Sequence, residues 1–157
     1  MLTRSTDLGG EVKAVYVLAN LNAALSEPLI LTDAQPEDNN KLTSAAIDRM
    51  GYDSAVLAIP GVAHLADTKT LTFAVGILES DDNSSWDAEA VLQAATIAYT
   101  GIGTHLPTGF CVELNITLKT RKRYFKITIT PATNAGGDTA TWAAAVILGG
   151  KESLPAT

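Results

Sequence analysis

The feature that most constrains the fold is an alternating stretch at residues 110–131. In its first arm, every second side chain is apolar and the intervening ones are mostly polar; the apolar set is Phe110, Val112, Leu114, Ile116 and Leu118, and the other set is Cys111, Glu113, Asn115, Thr117 and Lys119. In its second arm, Phe125, Ile127 and Ile129 alternate with Lys126, Thr128 and Thr130. A period of two is typical of a strand with one buried face. Two such arms around a short polar segment predict an antiparallel β-hairpin.

Further strands are predicted on both sides of this stretch. Residues 55–59 form a predicted strand closed by Pro60-Gly61, residues 70–78 alternate as an inner strand, and residues 141–148 form a last strand stopped by Gly149-Gly150. A turn is predicted at residues 79–85, after the strand at 70–78, and another at residues 134–138, before the strand at 141–148. Asp, Asn, Ser and Gly are concentrated in both. Short strands separated by turn signals predict an all-β fold, a jelly-roll-like antiparallel β-sandwich with an extended N-terminal arm.

Two segments fit more than one structure. Residues 12–25 suit a strand, a helix or an extended arm that orders on a neighbouring molecule, and residues 88–98 suit either a helix or a strand with a loop. Residues 1–10 have no periodic apolar face and predict a flexible arm. We therefore divide the chain into an N-terminal arm and polar loop, residues 1–41, and a β-sandwich domain, residues 42–157.

The size and charge of the chain limit its functional class. A chain of 157 residues is long enough for one domain with a single packed core. A net charge of −6 and a pI near 4.7 argue against nucleic acid and an anionic membrane as partners. The single cysteine, Cys111, excludes an internal disulfide and lies at a strand position. No apolar run reaches the roughly 18 residues of a spanning helix and the first residues make a poor signal peptide, so we expect a protein made in a cytoplasm.

Residues that could support catalysis or metal binding do not occur in known spacings. His64 and His105 are both predicted in loops, outside any pattern of a metal site. No G-x-S-x-G is present, and Gly101 and Gly103 lack the third glycine of a nucleotide-binding loop. An acidic stretch lacks the glycine and the closing glutamate of a calcium loop and is predicted to be a turn; it contains Glu79, Asp81, Asp82, Asp87 and Glu89. We expect no enzyme activity, metal or cofactor.

The most marked charge feature is a basic turn between the two arms of residues 110–131. It holds five of the chain's 11 cations, namely Lys119, Arg121, Lys122, Arg123 and Lys126. One interpretation is a solvated hairpin tip that prevents aggregation through a sheet edge. Another is a docking site for an acidic partner surface, and nucleic acid is the least favoured partner. These five residues are the candidate partner-binding residues.

Four short pieces of the sequence recur in the same order in one family of small structural proteins. The pieces are Ile47-Asp48 with Gly51-Tyr52-Asp53-Ser54, residues 71–84, residues 123–131, and residues 145–150 with Leu154-Pro155. On these pieces, residues 42–157 resemble the head decoration, or cement, proteins of tailed bacteriophages. The order of the pieces carries this resemblance more than any one of them.

The resemblance implies a jelly-roll sandwich without catalysis, made in the host cytoplasm and located on the capsid exterior of the virion. It implies that the protein binds the outside of an icosahedral shell as a homodimer or homotrimer and holds major capsid subunits together. The basic turn and the N-terminal arm would then contact the major capsid protein. Competing interpretations are a phage tail or head–tail completion protein and a carbohydrate-binding jelly-roll module. Few aromatic residues argue against the last, and Trp86 and Trp142 are both expected in the core.

Overall fold

The computed structural model of the protein describes residues 13–19, 41–103, 106–134 and 138–151. These residues form strands, turns and loops. The strands are β1 (Lys13–Ala19), β2 (Leu42–Thr43), β3 (Ile47–Asp48), β4 (Tyr52–His64), β5 (Thr70–Ser80), β6 (Ala90–Thr100), β7 (Thr108–Thr117), β8 (Tyr124–Thr133) and β9 (Thr139–Lys151). This part of the chain contains no helix long and apolar enough to cross a membrane.

The strands form two antiparallel sheets of a sandwich. The order is β1-β9-β4-β7 in the first sheet and β2-β8-β5-β6 in the second, where β3 also pairs with β8. The pairs are nested along the chain: β5 with β6 is innermost, followed by β4 with β7, β2 and β3 with β8, and β1 with β9. Nested pairing across two sheets is the arrangement of a jelly roll. The predicted all-β class and antiparallel sandwich are therefore confirmed.

The hydrophobic core lies between the two sheets. In β5, every second residue from Leu71 to Ile77 is buried, as the alternation in the sequence predicts. Phe73 of this strand meets the other sheet, where its ring centroid lies 5.3 Å from that of Trp142 and 5.8 Å from that of Phe110. Trp142 is buried, so its predicted place in the core is confirmed. One aromatic cluster thus connects β5 to β7 and β9.

The hairpin predicted for residues 110–131 is wrong. Both arms are strands with the predicted alternation, but β7 pairs with β4 in the first sheet and β8 pairs with β5 in the second. The connection at residues 118–123 therefore crosses from one sheet to the other. A period of two identifies which face of a strand is buried, whereas the pairing partner depends on how the whole core packs.

Two strands run further through glycine and proline than the sequence predicts. β4 continues past Pro60-Gly61, which does not close the strand, and ends at His64, which is an exposed strand residue and does not lie in a loop. Pro60 is exposed, and the register of β4 on β9 is the same before and after it. Gly61 leaves room for Phe110, because a Cβ there would lie 2.5 Å from the ring. β9 also continues through the two glycines predicted to stop it.

The two ambiguous segments both contain strands. Residues 90–100 form β6 at the edge of the second sheet, where Leu92, Ala98 and Tyr99 pack against the core. The helix alternative is wrong there because tertiary packing outweighs the helix propensity of its alanines. Residues 13–19 form β1, which pairs with β9. Residues 1–12 and 20–40 of the predicted arm and polar loop, and His105, lie outside the described residues.

Candidate functional site: the charged end of the sandwich

Three connections meet at one end of the sandwich, which we call the charged end. They are the turn at residues 49–51 between β3 and β4, the loop at residues 81–89 between β5 and β6, and the crossing at residues 118–123 between β7 and β8. Backbone hydrogen bonds join the third connection to the first and to the beginning of β4. The N–H of Arg49 donates to the carbonyl of Arg123 at 3.0 Å, and the N–H of Leu118 donates to the carbonyl of Asp53 at 2.7 Å.

All five residues of the predicted docking site have a partner within the chain. The partners are Glu79 for Arg121 (2.9 Å), Asp48 for Arg123 (2.9 Å), Asp87 and Asp81 for Lys122 (3.0 and 3.2 Å), Asp53 for Lys119 (3.8 Å) and the Trp86 ring centroid for Lys126 (4.1 Å). The basic turn and the acidic turn, which are separate in the sequence, therefore form one cluster.

The formal charges of this cluster balance. Its cations are Arg49 and the five residues of the basic turn; its anions are Asp48, Asp53, Glu79, Asp81, Asp82 and Asp87. Glu89, at the end of the loop at residues 81–89, pairs with Lys41 and adds no net charge. The docking prediction relied on the contrast between a basic turn and an acidic chain. Because the charges of the cluster balance, the long-range electrostatic field around the basic turn is weaker than that contrast suggests. That these five residues bind a partner stays a prediction. Lys119 is the member most open to a partner, since its side chain is 68% exposed and its ion pair is the longest.

Glu79 holds the crossing between the sheets. One of its carboxylate oxygens accepts a hydrogen bond from Nη1 of Arg121 at 2.9 Å, and the other accepts one from the backbone N–H of Lys122 at 3.0 Å. Both side chains of the Glu79–Arg121 pair are largely buried, so solvent screens this pair less than the others. The end of β5 is therefore tied to the crossing that follows β7.

Arg49 is a central residue of this end that the sequence analysis missed. Its Nε donates to the carbonyls of Arg121 and Lys122 at 3.0 Å each, Nη2 donates again to Arg121, and Nη1 donates to the carbonyl of Tyr52 at 3.3 Å. A guanidinium suits this role because its donors lie in one rigid plane. A lone arginine followed by Met50-Gly51 carries no motif that could have identified it.

Asp82 organises the loop between β5 and β6. Its Oδ1 accepts hydrogen bonds from the backbone N–H groups of Ser85 at 2.8 Å and Ser84 at 2.9 Å, and from the hydroxyl of Ser80 at 2.9 Å. These donors, led by the N–H of Ser85, hold the pKa of Asp82 far below its usual range. The negative charge of Asp82 thus strengthens hydrogen bonds within its own turn.

Glu89 lies on the outer face of the second sheet. Its carboxylate pairs with Lys41 and accepts a hydrogen bond from the hydroxyl of Thr128 at 2.9 Å. It lies over Gly76, where a Cβ would come within 2.3 Å of it. The hydrogen bond from Lys41 lowers the pKa of Glu89 against the opposing effect of burial. The two acidic residues Asp82 and Glu89 are therefore both stabilised in their charged forms.

We expect the contributions of Asp82, Glu89, Lys122 and Arg123 to stability to be constant between about pH 5 and pH 10 and to fall outside that range. The lowered pKa values of Asp82 and Glu89 mean that their contributions are present above the unfolded values near 4 and are lost as the pH falls. A hydrogen bond to Asp87 raises the pKa of Lys122, and a hydrogen bond to Asp48 raises the pKa of Arg123. These two cations affect stability at high pH. Their contributions are present below the unfolded values and are lost only as the pH rises above about 10.

This pH dependence is measured as the urea midpoint of unfolding from pH 2 to pH 11. In Asp82→Asn, the stability gap to the unsubstituted protein should be largest near neutral pH and should narrow below about pH 4, because the aspartate itself becomes protonated there. A gap of the same size at every pH would contradict this role of Asp82.

Trp86 does not lie in the core, contrary to the sequence prediction. It is half-buried in the loop at residues 81–89, and the Nζ of Lys126 lies above its ring. The guanidinium of Arg123 lies above Tyr124 in the same way, with 4.9 Å between its carbon and the ring centroid. Cation–π contacts of this kind add to the ion pairs of the charged end.

The loop at residues 81–89 does not gather carboxylates around a common point. Asp81 and Asp87 point to Lys122, while Asp82 accepts backbone hydrogen bonds. In the part of the chain that the structure describes, no group of three or more His, Cys, Asp or Glu side chains could hold a metal ion.

The structure brings parts of all four family-like pieces together at the charged end. Asp48 of the first piece pairs with Arg123 of the third, and Glu79 of the second lies opposite Phe125 of the third across β5 and β8. The hydroxyl of Ser54 in the first piece donates to the carbonyl of Gly149 in the fourth at 3.0 Å. Pieces far apart in the sequence are therefore neighbours in the fold.

No model of a known protein family matches this chain, and no curated protein is similar to it in sequence. One similar structure is the T13 viral particle of infectious bursal disease virus, with 14% identity and a TM-score of 0.49, covering 89% of this chain and 32% of that one. Another is the PBSX exported protein XepA, with 16% identity and a TM-score of 0.36, covering 99% and 43%. A third is the Clostridium thermocellum xylanase 10B fragment with CBM22-1 and GH10 modules, with 13% identity and a TM-score of 0.36, covering 90% and 30%.

These similarities are low in both sequence and superposition. The chain spans about a third of the length of the viral protein chains that it resembles in structure. The jelly-roll assignment accordingly rests on the strand order and the nested pairing of this chain itself.

Proposed function

We propose that the protein is a non-catalytic structural component of a virus particle, and that it decorates the outside of a bacteriophage head. The convergence of the four family-like pieces on the charged end carries this proposal. Jelly rolls occur in viral capsid domains and also in lectins, so the fold is compatible with the proposal without deciding it. The partner in this proposal is the major capsid protein, and several capsid subunits are held together by each bound molecule.

The charged end is the proposed contact with the capsid. Its loops are held by hydrogen bonds and ion pairs to both sheets, so binding requires little ordering of the docking surface. Among its basic residues, Lys119 and Arg123 keep the largest exposed fractions, 68% and 49%. We propose that these two side chains contact the capsid, while Arg121 and Glu79 maintain the shape of the surface.

A carbohydrate-binding function has less support from the described residues. Lectin sites of jelly-roll modules need an exposed aromatic face or a polar pocket for the sugar. Among side chains whose burial is described, the exposed large hydrophobic ones are all aliphatic. Trp142 is buried and Trp86 is covered by Lys126.

The test is to image purified virus particles labelled with an antibody against this protein and to measure its copy number by gel densitometry. We expect label over the whole head and hundreds of copies per particle. Label confined to the tail or to the junction of head and tail would contradict head decoration and support a tail or head–tail completion protein. Absence of the protein from particles would overturn the proposal.

The contact surface is tested by rebinding purified protein to particles that lack it. Lys119→Glu should lower occupancy several-fold, because it places a negative charge at the proposed contact while breaking only a long, exposed ion pair. Lys69→Glu, beyond the other end of β4, is the charge-matched control and should bind normally. Equal binding of the two variants would show that the charged end does not contact the capsid.

A further inference from the structure

A second surface of the protein is distinguished by a lack of charge. The chain has no Asp, Glu, Lys or Arg between Glu89 and Glu113, which is its longest uncharged segment. This segment includes all of β6, the loop after it and the beginning of β7. Since β6 and β7 are edge strands of the two sheets, the uncharged segment runs along one side of the sandwich.

The same segment carries exposed apolar side chains. Among the residues whose burial is described, six large hydrophobic side chains are exposed, and four of them come from this segment: Val91, Ile97, Ile102 and Leu106. Val91 is 75% exposed and Ile97 is 59% exposed. In the register of β6 on β5, Val91 lies opposite Gly76 and Ile97 lies opposite Thr72, so both side chains are on the outer face of the second sheet. Four exposed apolar side chains within one uncharged segment make it a candidate interaction surface.

β6 lacks the features that usually protect an edge strand. Natural edges carry charged residues or proline, and β6 has neither along its whole length. Its register on β5 does shift at three places, each with an additional residue on the β6 side. Such bulges bend an edge and interrupt its free hydrogen-bonding groups. A contact made by β6 is therefore expected to depend on side-chain packing more than on a continuous backbone ladder.

The spacing of the exposed residues fits a second copy of the same strand. Because Val91 and Ile97 lie opposite Gly76 and Thr72, they are two residues to either side of Ala74 along β5, and Ala94 and Ala95 between them are exposed and small. If two β6 strands cross antiparallel with a two-fold axis at Ala94, Val91 of each copy meets Ile97 of the other. The small residues at the axis allow the strands to approach closely. An isologous contact requires this kind of self-complementarity.

We propose that two copies of the protein associate through β6, about a two-fold axis at Ala94, burying Val91 and Ile97 of each copy on the other. β6 itself brings no like charges together in this contact, and Glu89, which lies beside Val91, is paired with Lys41 of its own copy. An isologous contact of this kind closes as a dimer, and it does not depend on the proposed role in a virus particle.

The oligomeric state is tested by size-exclusion chromatography with light scattering on the full chain. We expect about twice the monomer mass of 16.4 kDa at micromolar concentration. Ile97→Lys and Val91→Lys should each shift the protein to the monomer, with unchanged circular dichroism. Val62→Lys and Met50→Lys place the same charge at other exposed apolar positions and should remain dimeric. A monomeric or trimeric unsubstituted protein, or Lys variants of β6 that remain dimeric, would overturn the proposal.

The register is tested by cross-linking at the axis. In a Cys111→Ser background, Ala94→Cys should form an intermolecular disulfide on mild oxidation, because the two copies of this position lie together. Val62→Cys in the same background is the control and should not cross-link. A dimer in which Ala94→Cys stays reduced while Val62→Cys cross-links would assign the interface to β4 and overturn the placement at β6.

Discussion

Phe73→Ala should lower the free energy of unfolding by about 4 kcal/mol, the largest loss that we expect from a single substitution in this protein. Phe73 is fully buried in the second sheet and contacts Trp142 and Phe110 of the first. Alanine would remove a ring from the middle of the sandwich and leave a cavity between two aromatic side chains. The neighbouring strands belong to extended ladders, so the cavity cannot close by a local shift.

The measurement is equilibrium unfolding in urea, with the slope compared between variants to confirm that the unfolded state is unchanged. Phe73→Leu keeps most of the apolar volume and should cost no more than about 1.5 kcal/mol. Val62→Ala, at an exposed position of β4, should stay within about 0.5 kcal/mol of the original protein. A loss below about 1.5 kcal/mol for Phe73→Ala would show that the two sheets do not depend on this cluster.

Arg49→Ala should cost about 2 kcal/mol and should loosen the crossing between the two sheets. The guanidinium donates hydrogen bonds to the carbonyls of Arg121, Lys122 and Tyr52, and alanine would leave these acceptors without it. A hydrogen bond from a charged donor contributes about 1.5–3 kcal/mol, and partial access to water offsets some of this loss. The readout specific to this role is faster amide hydrogen exchange at residues 118–123.

Two matched variants distinguish geometry from charge in this experiment. Arg49→Lys keeps the positive charge but not the planar set of donors, so it should recover less than half of the lost stability. Lys119→Ala removes a cation from the same end and should change stability by no more than about 0.5 kcal/mol, since its side chain is exposed. If Arg49→Lys behaves like the original protein, charge alone explains the contribution of Arg49.

The strands were predictable from the sequence where their pattern is local. The buried faces of β5, β7 and β8 follow from alternation alone, because successive side chains of a strand point to opposite faces. The pairing of β7 with β4 was not predictable in the same way. Residues 110–131 have the local signature of a hairpin, and only the complete set of strands determines that β7 and β8 belong to opposite sheets.

The charged end shows a second limit of reading residues in sequence order. Arg121 and Glu79 are far apart in the chain, so the basic turn and the acidic turn were interpreted separately although they neutralise each other. Arg49 carries no local pattern, because its hydrogen-bonding partners are backbone carbonyls of a distant loop. The sequence shows the cluster of basic residues but not the acidic and aromatic side chains that each of them contacts within the chain.

The position of β9 also constrains when the protein can fold. β9 is the last strand of the described chain, yet it lies between β1 and β4 and joins them in one sheet. During synthesis on the ribosome, β1 and β4 emerge long before the strand that connects them. β4 can pair with β7 before then, but β1 has no partner strand until residues 139–151 have left the exit tunnel, so the first sheet is completed only at the end of synthesis.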